Sequence, residues 1–471
     1  MGLWHSSEIA AATEGCGTGD WVAESVTIDS RSIKPAALFV ALTGGASDGH
    51  AYVHEAIAKG AAGALVSRYV EGVPEAQQIL VADTEKALQQ LGVAARARSA
   101  AKFLGITGSV GKTGCKEMLK AALKVCGNTH ATEGNLNNHL GVPLTLANMP
   151  KDTQFAVLEM GMNHAGEIAA LSRIVRPDVA IITTVDAVHI EFFDSVEGIA
   201  DAKSEMFVGM QQQGVAVLNA DNPHYARCRK HAEKQGLDRI LSFGTSPQAL
   251  CRLLHYRIED LHAVVDASIT GTELRYRLGA IGKHWALMSV AVLAMVEAVG
   301  GDMAKAAAQF EFFSEPKGRG QIRKLAVKGG HLRLVDDCYN ASPISMRGAV
   351  EKIAELRDAS PEPCRTLVVL GDMLELGEHA HDMHVGLVPS LINNQMDLVF
   401  AAGKFMESMY HALPESMRGA YALSSGELAP TVVSALRDRD LVLVKGSRGS
   451  KMELVVQAME TNAARFDAGE A

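Results

Sequence analysis

Ten short runs of β-branched and aliphatic residues, ALFVAL, GALVSR, FLGIT, FAVLEMG, VAIITTV, GVAVLN, LRLVDD, TLVVLG, LVFAAG and LVLVKG, alternate along the chain with longer segments of helical periodicity. Strands joined through helices run parallel, because the helix carries the chain back across the sheet before the next strand starts. The alternation predicts an α/β fold of parallel sheets with crossover helices. At 471 residues the chain exceeds what one hydrophobic core serves, and about three domains are expected. One break is expected near Ser99 to Lys102, where the alanine- and arginine-rich LQQLGVAARARSAAK gives way to FLGIT. A second falls in FFSEPKGRGQ, residues 312–321, where Pro316, Gly318 and Gly320 interrupt the helical pattern. The expected division is 1–100, 101–313 and 314–471, with the tail ARFDAGEA disordered.

With 48% hydrophobic and 21% charged residues and a formal net charge of -9, the composition is ordinary for a soluble enzyme. Its acidic balance offers nucleic acid and anionic lipid no general attraction, so an anionic substrate must be held by local donors. Seven cysteines are scattered and none forms C-x-x-C, which disfavours a disulfide framework or thiolate zinc site and fits a reducing compartment. The N-terminal MGLWHSSEIAAATEGCG lacks a basic stretch followed by an apolar core, and no apolar run approaches the roughly 20 residues a membrane helix needs. A cytoplasmic, unanchored monomer is expected.

The chemistry is most legible in GITGSVGKTG, Gly105 to Gly114. The phosphate-loop pattern G-x-x-x-x-G-K-[ST] would place its first glycine at position 106, which is Ile106. Context outweighs that mismatch: FLGIT reads as a buried strand and CKEMLKAALKV as a helix, and strand, glycine turn, helix is what the motif requires. Gly108 can make the turn instead. Thr107, Gly108, Ser109, Val110 and Gly111 then direct backbone N–H groups at phosphate oxygens, Lys112 adds a point charge, and Thr113 offers its hydroxyl to Mg2+. A carboxylate should end a neighbouring strand to share the metal, and FAVLEMG supplies Glu159. By residue type alone His189 is an ordinary loop histidine and Lys203 a solvated helix lysine.

Longer stretches carry more. TEGNLNNHLGVP (132–143), EMGMNHAGEI (159–168) and HIEFFDSVEGIADAKSEMF (189–207) resemble the Mur ligases of peptidoglycan synthesis, whose phosphate loop is spelled T-G-x-x-G-K-[ST]. DDCYNASPISM (336–346), LGDMLELGEHA (370–380) and VKGSRGSKME (444–453) look like the members that add D-alanyl-D-alanine. IDSRSIKPAALFVALTGGASDGHAYVHEAIAKGAAGALV is similar to their uridine-nucleotide domain, so the resemblance covers nearly the whole chain. It implies three domains: an N-terminal α/β domain for the UDP substrate, a central P-loop ATPase with a mostly parallel sheet, and a C-terminal Rossmann-like domain for the incoming dipeptide. It also implies the reaction: ATP phosphorylates the terminal carboxylate of UDP-N-acetylmuramoyl-tripeptide, and the amine of D-alanyl-D-alanine attacks the acyl phosphate.

The same resemblance distributes roles. Lys112, His189 and Lys203 are the implied catalytic residues. Thr113 and Glu159 would bind one Mg2+ with the ATP phosphates, and His189 with a carbamylated Lys203 a second. Arg319 is expected at the ATP phosphates, a linker arginine being the alternative, and Asp337, Tyr339 and Asn340 at the adenosine, with a buried strand-end cluster as the alternative. Asn137 and Asn138 are assigned to the muramoyl peptide, and Ser30 and Arg31 to the uridine diphosphate, with a β-turn as the alternative for the last two. Lys445, Ser447 and Arg448 are assigned to the dipeptide, a solvated loop being the alternative. Two departures stand out: Trp285 and Met288 occupy places where the family usually has asparagines, and Ser342 replaces the second asparagine of Y-N-A-N-P. DNPH (221–224) matches a diaminopimelate-selecting motif in letters only, because that motif belongs in the third domain. A family member adding a single amino acid, a folylpolyglutamate synthetase and a P-loop switch are the competing readings.

Overall fold

The computed structural model describes residues 2–44, 47–259 and 262–467. All ten runs named above lie on strands of three main sheets. The first is a four-stranded parallel sheet, Ser25–Thr27, Ala37–Val40, Gly63–Val66 and Gln78–Leu80, in sequence order. Its successor helix Thr84–Ala97 starts where the Asp83 carboxylate accepts from the Glu85 and Lys86 amides, satisfying donors that a helix start leaves free.

The second sheet has nine strands and holds the phosphate loop. Lys102–Thr107 lies between Phe155–Glu159 and Val179–Ile182, in parallel register, with Ile106 opposite Glu159 and Thr107 opposite Ile182. The loops leaving these three neighbours therefore emerge at one edge, where open α/β sheets hold their ligands. Parallel pairing continues through Val215–Asn219 and Arg239–Gly244 to Cys251–Glu259, after which His262–Ile269 and Thr272–Leu278 fold back antiparallel. The third sheet, six-stranded, opens with the hairpin Gln321–Val327 and Gly330–Asp337 and is otherwise parallel, with Leu441–Lys445 between Gly330–Asp337 and Thr366–Gly371.

The first sheet's unit is clasped to the second. Trp4 Nε1 donates to the Ala147 carbonyl at 2.8 Å, the Asn148 amide exchanges two hydrogen bonds with the Val26 backbone, and Arg98 lies 3.6 Å over the Trp4 ring. The second and third units meet at polar contacts. Tyr256 donates to Glu355 at 3.1 Å, and Glu315, which accepts from the Lys352 ammonium of its own unit at 2.9 Å, also accepts from the Ile281 amide at 3.3 Å. Removing one member of a buried pair such as Lys352 and Glu315 strands the other charge, at a cost of about 3–5 kcal/mol. The tail differs from expectation. Residues 464–467 continue the final helix Glu453–Asp467, and the rest of ARFDAGEA lies outside the described residues.

Candidate active site

The phosphate loop is pinned from the adjacent strand. Thr183 donates its hydroxyl to the Val110 carbonyl at 2.6 Å, and the Ser109 amide donates to Thr184 at 2.8 Å. Ser109 Oγ donates to the Asp186 carbonyl at 2.9 Å and accepts from the Asp186 amide at 3.0 Å. The helix Lys112–Lys124 begins after Gly111, whose φ of 88° suits glycine. Gly108 has φ 150°, and a β-carbon there would overlap the Thr183 hydroxyl. Gly108→Ala is therefore expected to displace the loop and abolish nucleotide binding while the distant sheets stay folded. Calorimetric titration with ATP and a circular dichroism spectrum check both halves of that expectation.

Lys112 folds back over the loop, its ammonium donating to the Gly108 carbonyl at 2.6 Å. Burial lowers its pKa, opposed by Glu159 and reinforced by Arg319. Glu159 ends its strand 1% exposed. Its Oε1 accepts from Asn137 Nδ2 at 2.8 Å and from the Thr113 hydroxyl at 3.3 Å, and its own amide donates to Thr132 Oγ1 at 3.0 Å. The second oxygen, Oε2, is buried without a partner, as is Thr107 Oγ1. A carboxylate oxygen left bare beside a P-loop threonine fits a divalent cation, since burying it otherwise is costly. Among the described residues no three His, Cys, Asp or Glu side chains converge to hold a metal. An ion at Glu159 would thus complete its shell with phosphate oxygens and water, as Mg2+ commonly does.

Lys203 departs from the solvated lysine its residue type suggested. It sits on the helix Val196–Ser204, capped by Ser195, and is 2% exposed. Among the described residues its ammonium makes no hydrogen bond or ion pair. Burial, reinforced by the Lys112 ammonium, pushes its pKa well below the ordinary lysine range. His189 is mostly buried at a left-handed φ of 62°, its Nδ1 against the Glu375 carboxylate of the third unit. Burial lowers its pKa, with Glu375 opposing.

Across the junction Asp337 accepts from Lys445 Nζ at 2.6 Å, and Lys445 also donates to the Asn340 carbonyl at 3.0 Å. Burial raises the Asp337 pKa against the pull of Lys445. The Arg319 guanidinium covers the Tyr339 ring at 4.0 Å, with Arg448 at 6.0 Å. Ser447 Oγ accepts from the Leu374 amide at 2.9 Å.

The remaining residues are engaged locally. Asn138 Oδ1 accepts from the Gly141 amide at 2.9 Å, where the helix Gly141–Ala147 starts. Arg31 donates to Asp29 at 2.9 and 2.8 Å, holding that carboxyl down at about 2, and the Ser30 carbonyl accepts from Lys59 at 3.0 Å. The Trp285 indole packs against the phosphate-loop helix, within 2.5 Å of where a Gly114 β-carbon would stand, and 5.4 Å from the Phe313 ring. Met288 reaches Gly111. Asp221 of DNPH accepts from the Thr245 and Ser246 amides, tying two strand ends together. Residue reading missed Thr183, Asp186 and Glu375. The first two were findable, since TTVDAVH follows a strand beside the loop.

The chain matches three family descriptions: Mur ligase family, catalytic domain, over residues 23–95; Mur ligase middle domain over 106–296; and Mur ligase, glutamate ligase domain, over 318–448. It is 34% identical to a UDP-N-acetylmuramoyl-tripeptide--D-alanyl-D-alanine ligase of Rickettsia prowazekii, covering 96% of this chain and 99% of that one. This chain belongs to the Mur ligase family. The Bacillus subtilis ligase of the same name is also 34% identical, covering 93% of each chain. Among solved structures, this Mur ligase superposes on MurF from Acinetobacter baumannii with a TM-score of 0.85 at 29% identity, covering 97% of this chain and 99% of the other. MurF from Thermotoga maritima, solved with ADP, gives 0.79 at 26% identity, covering 94% and 98%. The three-domain α/β architecture expected from the sequence is the one these relatives share.

Proposed function

We propose that this Mur ligase is an ATP-dependent acid–amino-acid ligase of peptidoglycan precursor synthesis. It joins D-alanyl-D-alanine to the terminal carboxylate of UDP-N-acetylmuramoyl-tripeptide and releases ADP and phosphate. The observation that carries this reading is the near end-to-end match to ligases named for that activity, in a chain whose P-loop stands beside an orphaned carboxylate oxygen. The domain division 1–100, 101–313 and 314–471 is part of the proposal, supported by the three sheets. So is action as a cytoplasmic monomer. Among the described residues no helix is long and apolar enough to cross a membrane.

A carboxylate resists amines because oxide is a poor leaving group. Transfer of the γ-phosphoryl to a carboxylate oxygen, with ADP departing, turns that oxygen into part of a phosphate leaving group. The dipeptide nitrogen then bonds to the carbonyl carbon, loses a proton, and phosphate leaves with the C–O electron pair. The difficulty is bringing two anions together, and positive charge fixed in advance answers it. Lys112 and the loop amides of Thr107, Gly108, Ser109, Val110 and Gly111 hold the ATP phosphates, and Arg319 reaches them from the junction. Thr113 and Glu159 would hold one Mg2+, and His189 and a carbamylated Lys203 would hold or orient a second. These ions would supply the positive charge between carboxylate and γ-phosphate.

Lys203 is suited to carbamylation because its burial, with the Lys112 ammonium nearby, disfavours the charged amine. A neutral amine bonds to the carbon of CO2, sheds a proton, and becomes an anionic oxygen ligand. Asp337, Tyr339 and Asn340 border the adenosine. Asn137 and Asn138 face the peptide, Ser30 and Arg31 the uridine diphosphate, and Lys445, Ser447 and Arg448 the dipeptide. ADP release with UDP-N-acetylmuramoyl-tripeptide is expected only when D-alanyl-D-alanine is added. Equal release without it, or with single amino acids alone, would overturn the assignment.

A further inference from the structure

The loop after Thr366–Gly371 is held residue by residue. The Asp372 carboxylate accepts from the Phe405 and Met406 amides at 3.1 and 2.9 Å, and its carbonyl accepts from the Ser447 amide at 3.0 Å. The Met373 amide donates to His384 Nε2 at 2.9 Å, and His384 Nδ1 faces the Ala380 carbonyl at 2.5 Å. The Leu374 amide is taken by Ser447 Oγ. Glu375 comes next, at a φ of 62°. A left-handed conformation is unfavourable for glutamate, and it persists only where the surroundings impose it, commonly at functional sites. The three preceding anchors impose it here.

His189 has the same φ of 62° on the other side of the junction. The two turns that follow, Ile190–Phe192 and Gly377–His379, pack together, with Gly377 against Glu191. Their contact sets the Glu375 carboxylate in close contact with the buried Nδ1 of His189, which has no other hydrogen-bond partner among the described residues. A histidine that works through one ring nitrogen usually donates the other N–H to a carboxylate, which fixes ring orientation and tautomer. Here the two partners come from different units of the chain.

We propose that Glu375 is the positioning residue for His189. It accepts from Nδ1–H and leaves Nε2 to face the reaction centre, so the third domain completes the catalytic apparatus of the second when the two are docked. Its importance for turnover rests on the ligase reading; its effect on the ring does not.

The test uses full-length protein labelled with 15N-histidine and the variants Glu375→Ala, Glu375→Gly and Glu375→Gln. The wild-type spectrum is expected to show His189 protonated on Nδ1. In the alanine and glycine variants the ring should relax toward the tautomer mixture of free imidazole. In the ligase assay both variants are expected to lose about 10–100-fold in kcat, with KM for ATP and for the uridine nucleotide within about twofold of wild type. Glu375→Gln, whose amide oxygen still accepts, should recover much of the loss. Glycine relieves the left-handed strain, so Glu375→Gly should melt no lower than wild type, which separates a lost carboxylate from a damaged loop. Unchanged kcat in the alanine and glycine variants, or a wild-type ring protonated on Nε2, overturns the proposal. If wild-type protein makes no dipeptide product, the ligase reading fails, and the spectra still decide the Glu375 contact.

Discussion

Lys112→Met is expected to lower ligase turnover about 10²–10³-fold, the scale on which removing one preorganised charge-stabilising donor acts. Within 107–113 Lys112 is the single cation, and its ammonium now rests on the Gly108 carbonyl at 2.6 Å and near that of Ser109 at 3.5 Å. Those are makeshift acceptors, which a polyphosphate would outbid by charge. Methionine nearly matches the lysine stem in length and suits an environment that already disfavours the ammonium, so the loop should keep its shape. Steady-state rates and calorimetric ATP titration on the folded variant measure the effect. Turnover within about threefold of wild type would remove Lys112 from the proposed mechanism, whose donors act on scales of 10²-fold or more.

Lys203→Ala is expected to cost about as much, 10²–10³-fold, and here the chemistry offers a rescue. Truncation of a 2% exposed side chain leaves a buried void behind the loop. A short-chain carboxylate such as acetate is small enough to enter and would restore an anionic oxygen where the carbamate stood. Lys203→Met fills the same space and should show a similar loss without rescue. Wild-type protein in CO2-depleted buffer should slow and then recover on adding bicarbonate. Because burial holds the amine pKa well below the ordinary range, the neutral form that reacts with CO2 persists to lower pH than for an exposed lysine. Near-normal turnover of Lys203→Ala, or equal acetate response in Lys203→Met, would sink the carbamate role.

The parallel core was legible because strands buried on both faces read as unbroken apolar runs, and each of the ten noticed runs is a strand. The antiparallel extension, Cys251–Glu259 through Thr272–Leu278, escaped notice for the opposite reason. Its residues alternate between buried and exposed, so Arg252, His255, Arg275 and Arg277 interrupt the apolar pattern. The phosphate loop and Glu159 were legible from strand ends. The burial of Lys203 was not, since a helical lysine is ordinarily solvated and only packing reveals otherwise. Glu375 was invisible in principle: its partner lies 186 residues away, and no local pattern marks a glutamate that acts across a domain junction. Asp221 shows the converse, motif letters that turn out to tie two strand ends.

The indole of Trp285 occupies the space a side chain at position 114 would need, with the ring atoms Cη2 and Cζ3 at 2.5 and 2.7 Å from that absent β-carbon. The two positions are consequently not free to drift separately. A lineage that acquires alanine at 114 must first shrink or rotate the aromatic residue at 285, and one that keeps the tryptophan is bound to glycine. Across descendants of this chain the pair should be inherited as a unit, a covariation whose origin is volume and not catalysis.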